Sequence, residues 1–148
     1  MPPMEKIIVK AHFHTAHRQP GYPGHCQHVH GHTWRAKVTL SCEEFPRDEL
    51  DMSVDFGDIK KIVRFLDHKI IVTKDDTAFL DSKMFDAEGV VVVEGKGPSV
   101  ENVAHRLWNE IAGHLAAKYP GRGITYNVEV ELQETDNNVF ILEKKITV

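Results

Sequence analysis

At 148 residues, 41% of them hydrophobic and 27% charged, the chain is long enough to bury one core and reads as a single domain over 1–148. Its 18 Lys and Arg stand against 22 Asp and Glu, a formal charge of −4, with no run of five or more like charges, which argues against nucleic acid or an anionic membrane as partner and for a small molecule. No stretch approaches the roughly 18 consecutive apolar residues of a membrane span, and Met1-Pro2-Pro3-Met4-Glu5-Lys6 lacks a signal-peptide pattern; the expected location is the cytoplasm, where Cys26 and Cys42 stay free thiols.

From Lys6 to His17 the chain alternates, with Ile7, Val9, Ala11, Phe13, Thr15 and His17 on one face and Ile8, Lys10, His12, His14 and Ala16 on the other, as in a half-buried strand. The loop Gln19-Pro20-Gly21-Tyr22-Pro23-Gly24 lets the chain reverse. It leads into His25-Cys26-Gln27-His28-Val29-His30-Gly31-His32-Thr33-Trp34, where alternation resumes: His30, His32, Trp34, Ala36, Val38, Leu40 and Cys42 share the apolar face of a second strand.

Glu43 to Met52 reads as a loop. From Asp55 to His68, Phe56, Ile59, Ile62, Val63 and Leu66 recur at helical spacing, with Asp55 as N-cap. Lys69 to Gly97 is the least legible segment; its apolar run Val90 to Val93 suggests a short strand. Pro98-Ser99 opens a helix whose stripe runs from Val100 through Leu107, Ile111 and Leu115. Ile124 to Gln133 alternates as a strand, which carries Glu134 onto the apolar face, and Asp136-Asn137-Asn138 turns into a closing strand from Val139 to Val148. The order ββααββ predicts an α+β fold: an antiparallel four-stranded sheet with two helices on one face, and a second face and edges left for self-association.

His17, His30 and His32 lie on inward faces of two strands joined by one loop, so three imidazoles can meet at one point. Three nitrogen ligands with an open fourth position suit a catalytic zinc, whereas Cys26 or His28 as fourth ligand would make a closed structural site. Cys26 is thus either a ligand or, as a thiolate, a base or nucleophile. Asp67-His68 is either a proton-relaying pair or a polar helix end. Glu134 either lines a pocket, where its carboxylate can accept two parallel N–H bonds, or marks a strand end reaching solvent.

Phe13-His14-Thr15-Ala16-His17, Cys26 with His30-Gly31-His32, Val54-Asp55-Phe56-Gly57-Asp58-Ile59-Lys60, Leu66-Asp67-His68-Lys69, Pro98-Ser99-Val100-Glu101-Asn102 and Glu134-Thr135, in this order, resemble the 6-pyruvoyl- and 6-carboxy-tetrahydropterin synthase family nearly end to end. The resemblance implies a tunnelling fold, in which trimers close their sheets into a barrel and commonly stack into a hexamer with active sites at subunit interfaces. It implies zinc (Zn2+) on His17, His30 and His32, Cys26 as general base with Asp67 and His68 in support, and 7,8-dihydroneopterin triphosphate as substrate. Glu134 would grip the pterin N–H edge, with Thr135 and Ser99 beside it.

One branch of the family makes 6-pyruvoyl-tetrahydropterin; the other cleaves the side chain, releases acetaldehyde and leaves the 6-carboxy product on the route to queuosine. The three residues between Cys26 and His30 resemble the bacterial 6-carboxy type, which we expect here, while Glu134-Thr135-Asp136-Asn137-Asn138 resembles the animal pyruvoyl enzymes. For the triphosphate, Arg18, Lys37 and Lys69 are candidates. A zinc hydrolase is disfavoured, since Thr33-Trp34 follows His32 where such motifs need an acid and a histidine.

Overall fold

In a computed structural model, which describes residues 3–148, the two alternating N-terminal segments are β1 (Glu5–His17) and β2 (His30–Cys42). They pair antiparallel along their full length, from Glu5 opposite Cys42 to His17 opposite His30. β2 also pairs antiparallel with β5 (Thr125–Thr135), and β5 with β6 (Asn138–Thr147). These are the four strands that periodicity predicts.

The expectation of a four-stranded antiparallel sheet needs correction. β3 (Lys69–Thr73) lies parallel to the end of β1, with Thr15 to His17 facing Lys69 to Ile71, and β4 (Val90–Val93) lies parallel to β3. The sheet is six-stranded, mixed and open, in the order β4-β3-β1-β2-β5-β6. β3 escapes a period-two reading for a physical reason: Ile70, Ile71, Val72 and Thr73 are all buried, and a strand covered on both faces has no polar positions to alternate with; β4 is four consecutive valines, of which Val92 is exposed.

The helices cover one face. α1 (Phe56–Arg64) begins where Asp55 Oδ1 accepts from Gly57 N at 2.8 Å. It buries Ile59 and Val63, with Leu66 following; Phe56, at matching spacing, is exposed. α2 (Thr77–Leu80) is a single turn. α3 (Val100–Lys118), capped by Ser99, buries Val103, Leu107, Ile111 and Leu115. Trp108 Nε1 donates to Val128 O at 3.1 Å, seating α3 on β5. The core fills the space between these helices and Phe13, Trp34, Val38, Leu40, Val128 and Val130. On the opposite face Ile8, Lys10, His12 and His14 are exposed.

Candidate metal centre and active site

The long register of β1 and β2 is what builds the centre. His17 stands opposite His30, and Thr15 opposite His32, so all three histidines lie on the helix-covered face at the end of the hairpin. Their ring centroids are 4.6 Å (His17 to His30), 5.3 Å (His17 to His32) and 4.8 Å (His30 to His32) apart.

Two rings are oriented by backbone carbonyls. His17 Nδ1 lies 2.7 Å from Pro98 O, and His30 Nδ1 lies 2.7 Å from His28 O. A carbonyl accepts only, so each Nδ1 carries the proton and, in the neutral ring, each Nε2 presents a bare lone pair. The Nε2 atoms of His17, His30 and His32 are all buried without a hydrogen-bond partner. Buried polar atoms are normally paired, and three convergent imidazole nitrogens without a partner have the donor set of a metal centre. Carbonyl bonds at the far ring nitrogen are also the usual way ligating histidines are held.

Glu134 joins them. Its Oε1 lies 3.1 Å from His32 Nε2 and 3.4 Å from His17 Nε2, and one atom of each of the four residues lies within 4.8 Å of every other. The face rule places Glu134 on the inward side, and a second device aims it. The β5–β6 ladder pairs Gln133 with Val139 and Thr135 with Asn138, skipping Glu134 in a bulge; bulges re-aim the side chain they carry. Its contact with His17 chiefly holds the Glu134 carboxyl below its ordinary range although burial raises it. Burial pushes His32 down, against the pull of Glu134.

Cys26 sits in a single 3-10 turn, His25–Gln27, with its thiol exposed. Gln19 N donates to Cys26 O at 2.6 Å and pins the turn beside the end of β1. Its Sγ is not among the four converging donors. His25 and His28 are exposed, and His28 serves through its carbonyl.

Asp67 and His68 form a tight pair elsewhere. His68 Nδ1 lies 2.9 Å from Asp67 Oδ2, while Asp67 Oδ1 accepts from His14 N at 2.8 Å and Oδ2 also from Arg64 Nη2 at 3.1 Å. The His14 N–H is the main reason the Asp67 carboxyl falls to about 2, assisted by His68 and Arg64. His68 has φ 59°, an uncommon left-handed conformation for a non-glycine residue, and its ring faces that of His14. His14 lies on the exposed face of the sheet. Within one chain the pair and the histidine cluster therefore occupy opposite faces of the sheet.

Ser99 Oγ accepts from Asn102 N at 3.2 Å, capping α3, and Thr135 Oγ1 accepts from Asn137 N at 3.3 Å and Asn138 Nδ2 at 3.2 Å, closing the β5–β6 turn. Arg18 is committed: its Nε and Nη2 donate to the two carboxylate oxygens of Asp76 at 3.0 and 2.6 Å, and it stacks over Phe79. Lys37 lies opposite Lys10 and Glu131 on the open face, and Lys69 lies over Phe65. The segment between β3 and β4 brings Phe79, Met84 and Phe85 beside His68 and Lys69, walling an open cleft. Residue patterns alone leave out the Pro98 carbonyl; its nearest sequence signal is the Pro98-Ser99-Val100-Glu101-Asn102 motif, whose Asn102 Nδ2 donates to Gly97 O at 2.8 Å.

The sequence and the fold are similar to those of known proteins. The family profile described as 6-pyruvoyl tetrahydropterin synthase matches residues 6–145. The chain is 33% identical to 6-carboxy-5,6,7,8-tetrahydropterin synthase of Rickettsia bellii over 114 residues, covering 73% of this chain and 80% of that one. It is 33% identical to the enzyme of that name from Haemophilus influenzae over 89 residues, 60% of each chain. Its fold is similar to 6-pyruvoyl tetrahydropterin synthase of Plasmodium falciparum, with a TM-score of 0.68 at 17% identity over 97% of this chain and 99% of that one. It is also similar to an uncharacterized protein of Wolinella succinogenes, with a TM-score of 0.67 at 21% identity over 94% and 97%.

Proposed function

The chain belongs to the 6-pyruvoyl tetrahydropterin synthase family, and from that premise we propose that it is a zinc-dependent lyase. It converts 7,8-dihydroneopterin triphosphate and water to 6-carboxy-5,6,7,8-tetrahydropterin, acetaldehyde and triphosphate. The observation that carries the metal chemistry is the convergence of three buried, unpartnered imidazole Nε2 atoms. The choice of product rests on the 33% identity to relatives named 6-carboxy-5,6,7,8-tetrahydropterin synthase.

His17, His30 and His32 would hold the ion. Zinc bound there supplies a Lewis acid for the substrate's side-chain oxygens, which acidifies the neighbouring C–H bonds. Cys26, an exposed thiol on a turn pinned to the end of β1, takes the proton as general base. Asp67 fixes the His68 proton on Nδ1, leaving Nε2 to return or relay a proton. Glu134 accepts from the 2-amino and ring N–H edge of the pterin, and Ser99 and Thr135 flank it through whatever capacity their caps leave free. Since Arg18 is bound to Asp76, the triphosphate falls to Lys37 and Lys69.

Catalysis by this set requires more than one copy. Cys26 and the imidazoles belong to the hairpin end, while Asp67 and His68 face the other side of the sheet. A neighbouring copy brings the second group to the first, in keeping with an open sheet whose face carries exposed Ile8, Val139 and Ile141. We propose a homo-oligomer, a hexamer of two stacked trimers, with its sites at chain boundaries.

Incubation of zinc-loaded protein with dihydroneopterin triphosphate, read by product mass, tests the reading. Acetaldehyde with a carboxy-pterin is expected. A pyruvoyl-pterin would assign the chain to the other activity, and intact metal without turnover would leave a binding module. Cys26→Ala separates base from ligand, because it should abolish turnover and keep full metal content.

A further inference from the structure

We propose that Gln19 is a positioning residue for Cys26: its backbone N–H and its carboxamide together tie the turn that carries the thiol to the loop that orients His17. The inference rests on the reading of Cys26 as general base and adds to it what fixes the base in place.

The turn cannot hold itself. His25–Gln27 is one turn of 3-10 helix with no buried residue and no side-chain bond at its N-cap. Its own backbone bonds, Gln27 N to Gly24 O and His28 N to His25 O, close it without attaching it to the sheet. A segment without buried apolar contacts opens readily, whereas a base misplaced by about 1 Å can lose roughly 100-fold in rate. The position of the thiol therefore depends on ties to its surroundings.

Gln19 supplies two of them. The chain leaves β1 at His17 and reverses through Gln19-Pro20-Gly21-Tyr22, where Tyr22 N donates to Gln19 O at 3.2 Å and Gly21 has φ 77°, the type II turn that Pro-Gly favours. The reversal brings Cys26 back to Gln19, and Gln19 N donates to Cys26 O at 2.6 Å. The side chain makes the second tie. Its carboxamide fills the space where a Cβ on Gly97 would stand, so that any side chain at 97 would displace it. Gly97 and Pro98 are buried; Gly97 O accepts from Asn102 Nδ2, and Pro98 O accepts from His17 Nδ1. Seating a long, flexible side chain against backbone costs entropy, and what the contact secures is the registry between the Cys26 turn and the His17 loop. At the far end of the same turn His28 O accepts from His30 Nδ1 at 2.7 Å. The thiol thus lies on a segment flanked on both sides by groups that orient a histidine of the cluster.

Gln19→Ala, Gly97→Ala and the double variant test the assignment, with urea midpoints to check that each folds. Gln19→Ala should lower kcat about 10-fold or more and leave KM and zinc content unchanged. Gly97→Ala, which drives the carboxamide from its place, should do the same, and the double variant should be no worse than either alone, because both changes break one contact. The rate of Cys26 alkylation by iodoacetamide against pH gives a readout without substrate. A metal near a thiol lowers its pKa, so zinc should move the wild-type profile to lower pH, and that shift should shrink in all three variants. Additive losses, or zinc lost with Gly97→Ala in either background, would mean that residue 97 acts through Pro98 and His17, and the role of Gln19 would fall. It would fall equally if Gln19→Ala kept the wild-type kcat and alkylation profile while Cys26→Ala was inactive, an outcome that leaves the base in its role. Turnover retained by Cys26→Ala, or a wild-type profile that zinc does not move, would overturn the base reading and this inference with it.

Discussion

His17 and Pro98 are 81 positions apart in sequence and meet at 2.7 Å, imidazole Nδ1 to backbone carbonyl. That bond sets the tautomer and the rotation of the one histidine that β1 contributes to the cluster. The carbonyl is held in turn by its neighbour: Asn102 Nδ2 donates to Gly97 O, and Asn102 N to Ser99 Oγ. Gly95, at φ 105°, lets the loop pass so close to Asn102 that a Cβ there would collide with its Nδ2. Asn102→Ala should therefore weaken zinc about 10-fold through loss of the orienting partner, with a stability loss of about 1 kcal/mol for the hydrogen bond itself. Competition with a chromophoric chelator measures the first and urea unfolding the second. Unchanged metal affinity would mean that Pro98 holds its carbonyl without the Asn102 brace.

The two cysteines should differ sharply in reactivity. Cys26 is exposed, whereas Cys42 is buried and its thiol is pushed up to about 11, first by desolvation and then by Glu5. A thiol that stays protonated and covered is a poor nucleophile. Brief treatment of the native protein with iodoacetamide should add one label, at Cys26, and leave bound zinc unchanged; the site and number of labels follow from peptide mass spectrometry. Loss of zinc in step with labelling would return Cys26 to the ligand set.

Much of this site is legible before folding because the side-chain period of a strand is two. His17, His30, His32 and Glu134 all continue apolar faces, and counting by twos finds each of them. The same count admits His28, which the structure uses through its carbonyl, since β2 begins at His30. It has nothing to say about β3, where burial on both sides removes the alternation, or about β4, whose four valines offer no polar residue to alternate with. Nor can it foresee that Arg18, placed beside His17 like a phosphate anchor, is taken by Asp76 from a segment 58 positions away. Long-range polar pairings leave no periodic trace, and such pairings are what hold Asp76, Pro98 and Asp67 in place.

The Asp67 carboxyl makes stability depend on acid. Its pKa is held at about 2 in the folded chain against 3.8 ordinarily. A depressed folded value means that its stabilisation is fully present above about pH 4 and is lost as the pH falls toward 2. Asp67→Asn, which keeps an acceptor for His14 N but no charge, should lose about 1–2 kcal/mol at pH 7 and show a shallower decline between pH 4 and 2 than wild type. Urea midpoints across that range decide it. Parallel curves for the two proteins would mean that Asp67 is not held by its neighbours as the geometry implies.

Arg18 and Asp76 provide the sharpest contrast between a binding and a structural role. The Asp76 side chain is 3% exposed and receives two N–H bonds from one guanidinium, which commits the Nε–Nη2 edge of that cation to the protein rather than to a phosphate. Removing the arginine strands a buried carboxylate, which costs more than the pair itself contributes. Arg18→Ala should therefore destabilise the chain by about 2–4 kcal/mol, and Arg18→Ala with Asp76→Asn should recover part of that loss by removing the unpaired charge. Lysine is no substitute, since a point charge cannot satisfy both oxygens in the fork, so Arg18→Lys should fall between wild type and Arg18→Ala. Urea unfolding of the four proteins gives these values. If Arg18→Ala were as stable as wild type and lost only affinity for inorganic triphosphate, the ion pair would be incidental and Arg18 a phosphate ligand after all.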